Sequence, residues 1–110
     1  MRLPNGEHAD IGSKLEDYSL NLLHRQGQHK ARVFESALGI TLENKHLLAS
    51  ALLDRAAHSR DALATGDNGF GHTYVLRFRL TTHQGSATVL SAWIIRRDED
   101  FPRLTTCYIL

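Results

Sequence analysis

In HTYVLRFRLTT, residues 72–82, Tyr74, Leu76, Phe78 and Leu80 are apolar, while Arg77, Arg79 and Thr81 between them are polar. Strict alternation of this kind predicts a strand with one buried face. SATVLSAWIIR (86–96) and RLTTCYIL (103–110) predict two more strands. Before residue 64 the period is helical instead. Leu15, Tyr18 and Leu22 recur at helical spacing behind Ser13 and Glu16, a capping-box pair, which predicts a helix over residues 13–23. Val33, Phe34, Ala37 and Leu38 predict a second helix over 29–38, with Gly39 where a left-handed C-cap belongs. Thr41 is the expected N-cap of a third helix running to Ala57, whose stripe is Leu47, Leu48, Ala51 and Leu52. ATGDNGFGH (64–72) interrupts the pattern as a glycine-rich, flexible connection.

Helices first and strands last predict an α+β fold. N-terminal helices pack on one face of a C-terminal antiparallel sheet of three or four strands. A chain of 110 residues has room for a single domain, residues 1–110.

The turn THQGS, residues 82–86, decides which side chains of the second strand share a face. A three-residue loop of His83, Gln84 and Gly85 puts glycine at a left-handed bulge position. That register pairs Phe78 with Leu90 and Tyr74 with Ile94 on the core face. On the open face it sets Arg77 opposite Ser91 and Val75 opposite Trp93. Two arginines, a serine and an indole on an open face suit a phosphate-bearing ligand with a base to stack. The competing interpretation is an ordinary solvated face, with Trp93 covered by a loop.

Composition narrows the classes. The formal net charge is only +1, so any surface for nucleic acid must be a local patch. No apolar run is long enough to span a bilayer, MRLPNGEHAD lacks a signal-peptide core, and Cys107 has no partner, all of which lead to a cytoplasmic expectation. Seven histidines are many for a short chain, but His24, His29, His46, His58, His72 and His83 fit no common zinc spacing, so no metal is expected. Cys107 reads as a small buried thiol.

His29-Lys30 in GQHKARVF (27–34) is the sharpest candidate: imidazole is a general acid or base near neutrality, and an adjacent cation stabilises an anionic transition state. The same pair also reads as solvent-exposed first-turn residues. Thr106 and Tyr108 share a strand face and would join Arg77 and Ser91 if that face is the open one.

Five segments, LPN (3–5), KLEDYSLN (14–21), HKARVF (29–34), SAWIIR (91–96) and EDFPRLTTCY (99–108), resemble a small bacterial domain family of unknown function. Where that family has proline after the first histidine of its H-P-x-G-x-H-K stretch, this chain has Arg25. The layout is also similar to the metal-independent ribonuclease toxins grouped with barnase, EndoU, colicin nucleases and RelE. That similarity implies RNA cleavage by attack of the ribose 2′-OH on the adjacent phosphate, with no cofactor. It implies His29 as acid or base, Lys30 and Arg77 as charge stabilisers, and Ser91, Thr106 and Tyr108 as phosphate-orienting or proton-transferring groups. Trp93, Arg79 and Arg32 are the implied substrate-binding residues.

The expectation is therefore a small cytoplasmic endoribonuclease, the toxin of a toxin–antitoxin pair, with RNA and a cognate antitoxin as partners. The rival expectation is a non-catalytic module that binds a protein, such as the neutralising member of such a pair. The low net charge and the apolar CYIL end favour the rival, since an edge strand there offers pairing by strand addition.

Overall fold

Ala31, Phe34 and Leu38 lie on one side of a helix, α1 (Gln28–Leu38), and all three are buried. Gly39 ends it at φ 67°, a left-handed cap as expected, with its N–H on the Glu35 carbonyl. Val33, assigned to the apolar face by spacing, is instead exposed. The second helix, α2 (His46–His58), buries Leu48, Leu52 and Ala56. It starts later than the sequence suggests. Thr41 and Asn44 form a capping box around a separate 3-10 turn, Leu42–Asn44.

The structure is a computed structural model describing residues 1–110. It departs most from expectation at residues 13–23. Only one wide π-helical turn forms, Leu15–Ser19. Ser13 bonds the Asp17 carboxylate at 2.6 Å rather than a capping N–H, and Glu16 turns to Lys45 at 3.1 Å. Beyond the turn, Asn21 and His24 side chains capture the N–H groups of Leu23, Gln26 and Gly27. Those local acceptors compete with a helical ladder and stop it.

Four strands form one antiparallel sheet in sequence order: β1 (Leu63–Asp67), β2 (Gly71–Thr81), β3 (Ser86–Arg96) and β4 (Arg103–Ile109). The first of them lies in the segment expected to be a flexible connection. Asn68 and Asp67 carboxamide and carboxylate oxygens hold the tight turn after it, and Thr65 bonds Thr73 at 2.8 Å. Turn chemistry and full exposure together make β1 read as a loop.

The hairpin register is one residue from the expected one. Thr81 pairs with Ser86, Phe78 with Val89, Leu76 with Ser91 and Tyr74 with Trp93. Thr82 and Gly85 close a two-residue turn, and neither His83 nor Gln84 takes positive φ. Tertiary contacts with α1 hold this turn. The Thr82 hydroxyl donates to the Leu38 carbonyl at 2.8 Å and Gln84 Nε2 to the Glu35 carbonyl at 3.3 Å. Gly85 is required for close approach rather than for a bulge, because a Cβ there would sit 2.7 Å from the Ala37 carbonyl oxygen. The slip moves Ser91 and Trp93 from the open face to the core.

Both helices contribute to a core built with Leu76, Val89, Trp93, Leu104 and Cys107. The opposite face of the sheet carries Thr73, Val75, Arg77 and Arg79 on β2, with Leu90, Ala92 and Ile94 on β3. A bulge between Ala92 and Trp93 leaves Thr105 unpaired on β4. At the start of β4, Asp10 bridges Arg103, whose guanidinium also clamps Glu99 at 2.7 Å and holds that carboxyl below its ordinary pKa.

Candidate functional site

Lys30 precedes the buried Ala31 in the first turn of α1, so its stem leaves the core at the free edge of β4. Its ammonium donates to Tyr18 Oη at 2.8 Å and to Thr106 Oγ1 at a long 3.4 Å. It also lies 4.4 Å from the Tyr18 ring centre and 5.5 Å from that of Tyr108. Thr106 and Tyr108 pair with Ala92 and Leu90, on the side of the sheet away from the helices. The lysine reaches them because no strand lies beyond β4. No carboxylate stands within ion-pairing distance of it.

Tyr18 is held from behind. Gly27 packs directly on its carbonyl, where any Cβ would collide with backbone. His24 Nδ1 accepts the N–H groups of Gln26 and Gly27 at 3.0 and 2.9 Å, which fixes the ring against the start of α1. The His24 ring meets Tyr18 edge-on, with centres 4.8 Å apart. His29 is exposed. With Lys30, Val33, Tyr108 and Ile109 it lines a shallow depression of about 240 Å³.

Beneath this edge lies Cys107, fully buried opposite Ser91. Burial pushes its thiol up to about 11, against the weaker pull of Ser19 and Lys30. The Ser19 hydroxyl makes no hydrogen bond of good geometry, so its influence is that of a nearby dipole. A thiol so placed stays protonated and is no nucleophile.

Among the residues singled out by sequence, Lys30, Thr106 and Tyr108 come together, with His29 on the same rim. Ser91 and Trp93 do not join them. The Trp93 indole donates to Ser91 Oγ at 2.9 Å, and Ser91 donates to the Leu76 carbonyl at 2.9 Å, both inside the core. Arg77 lies across the open face in the row Arg77–Leu90–Tyr108, two strand spacings or about 10 Å from Tyr108. Arg79 is exposed opposite Thr88. Arg32 points to solvent, touching Gln28 at 3.5 Å.

A family model for a domain of unknown function, DUF6883, matches residues 2–110. The chain belongs to that family. No curated protein and no solved structure matches it.

Tyr18 and His24 are the site residues that sequence reasoning misses. Spacing places Tyr18 in an apolar stripe, and His24 figures there only among candidate metal ligands. The available signal is an aromatic hydroxyl in a polar stretch, LEDYSLN, shortly before a basic pair. Chemically, the arrangement offers one half-buried cation, three hydroxyls and an accessible imidazole. Such a set recognises an oxyanion and can move a proton beside it.

Proposed function

We propose that the chain is a metal-independent endoribonuclease, acting in the cytoplasm as the toxin of a toxin–antitoxin pair, with Lys30 at its centre. The observation that carries the reading is the neutral surroundings of Lys30. A half-buried charge is costly without a counter-charge, and here only hydroxyls and ring faces meet it. A phosphodiester oxygen completes the set.

In this mechanism His29 removes the proton of the ribose 2′-OH, and O2′ attacks the adjacent phosphorus. Lys30 offsets the charge that builds on the non-bridging oxygens. Tyr108 gives a proton to the departing 5′-oxygen, Thr106 orients the phosphate, and Arg77 holds a neighbouring one across the open face. The products are a 2′,3′-cyclic phosphate and a 5′-hydroxyl. His29 then returns its proton to solvent, and Tyr108 regains one. Ser91 and Trp93 take no chemical part.

A second reading has its own support. The sheet face away from the helices carries the half-buried Val75, Ala92 and Ile94, and the net charge is only +1, which suits a module that binds a protein.

The test is RNA and DNA of one sequence, incubated with the protein in excess chelator. RNA ending in 2′,3′-cyclic phosphate beside intact DNA supports the nuclease. Intact RNA overturns it in favour of the binding module, and cleavage of both overturns the 2′-hydroxyl mechanism.

A further inference from the structure

At the end of β3 away from the hairpin turn, a cleft of about 700 Å³ opens on the outer face of the sheet. It lies between residues 10–14 and the turn joining β1 to β2. Four cations line it, and two are already committed: Arg97 pairs with Asp67, and Arg103 with Asp10 and Glu99. Lys14 and Arg96 have no carboxylate at ion-pairing distance. On the turn itself stands Phe70, 75% exposed.

That ring is not a loose loop tip. The Phe70 N–H is bonded to Asn68 Oδ1 at 2.9 Å, and its carbonyl accepts the Arg97 N–H at 3.1 Å. The turn thus holds an aromatic surface in water beside two free cations. An aromatic face takes a base, and a guanidinium takes a phosphate. Asp98 on the same wall is an acceptor for a base amino group, which suits a nucleotide better than a bare anion.

We infer that this cleft is a second subsite for single-stranded RNA, stacking one base on Phe70 and holding its phosphate with Arg96 and Lys14. The inference rests on the ribonuclease reading of the Lys30 edge. The two places are joined by the sheet itself. Arg96 is four residues along β3 from Ala92, the partner of Thr106, or about 14 Å of strand. Thr105, between them on the bulge of β4, lines the cleft. An extended strand of a few nucleotides covers that distance along the outer face.

The deciding experiment compares kcat/KM on an octanucleotide and on a dinucleotide, for the intact protein and for Phe70→Ala and Arg96→Gln. Both side chains are exposed, and circular dichroism verifies the fold of each variant. The subsite requires each substitution to lower the octanucleotide value about tenfold while the dinucleotide value stays put. An unchanged octanucleotide value removes the subsite and leaves the Lys30 centre standing. Equal losses on both substrates also overturn it, since they report damage to the reaction centre. If the intact protein turns over neither substrate, the ribonuclease reading falls and the subsite with it.

Discussion

Lys30 Nζ and Thr106 Oγ1 meet at 3.4 Å although 76 residues separate them in the chain. The contact joins the first turn of α1 to the edge strand, and Tyr18 completes it from a third segment at 2.8 Å. Tyr18→Phe keeps the ring under the ammonium and removes only the hydroxyl. The expected result is a loss of roughly 0.5–1.5 kcal/mol in stability at most, with RNA affinity reduced several-fold. Urea unfolding and RNA titration together measure both, and an unchanged affinity would show that the hydroxyl does not shape the site.

Ser91→Ala leaves the Trp93 indole N–H without its acceptor inside the core. A buried donor left unsatisfied costs about 1–3 kcal/mol. The urea midpoint should fall and the tryptophan emission should change, with the activity per folded molecule retained. Lost activity at full stability would give Ser91 a chemical role instead of a structural one.

Gly27→Ala forces a methyl group into the Tyr18 carbonyl, which is backbone and cannot swing aside. The segment carrying His24 must move off the turn that carries Tyr18. Thermal unfolding should drop by several degrees, and the Lys30 edge should lose RNA binding with it. A variant with wild-type melting would mean that the two segments are not in tight contact.

Cys107 gives a pH signature. Its folded-state pKa is raised to about 11 by burial, whereas an unfolded thiol titrates near ~8.5. The folded form therefore keeps a proton that the unfolded chain releases. Its contribution is complete below the unfolded value and is lost as pH rises through the folded one, by about 3 kcal/mol in total. Subtracting the stability profile of Cys107→Ala from that of the wild type isolates the effect. A flat difference across that alkaline window would contradict the burial of the thiol.

The α+β order is legible because the period changes once, from helical to alternating. In α1 the glycine cap and the helical spacing of Phe34 and Leu38 agree, and both residues are buried. The hairpin register is not legible. β3 is apolar on both faces, with Val89 beside Leu90 and Trp93 beside Ile94, so alternation fits either register equally well. What selects the register is α1, through Thr82, Gln84 and Gly85, and no local pattern reports that. The same holds for the site. HKARVF announces Lys30, and Thr106 and Tyr108 announce a strand face, but Tyr18 joins them only through a π-helical turn that the capping-box spacing conceals.

The role proposed for the Lys30 ammonium, as the phosphate-binding charge of a ribonuclease, has a direct test. One defined RNA is cleaved in excess chelator by the wild type, Lys30→Met and His29→Ala, each with its melting temperature. Loss of about a hundredfold or more in both variants, with folding intact, is the expected result. Equal cleavage by Lys30→Met and the wild type would contradict it.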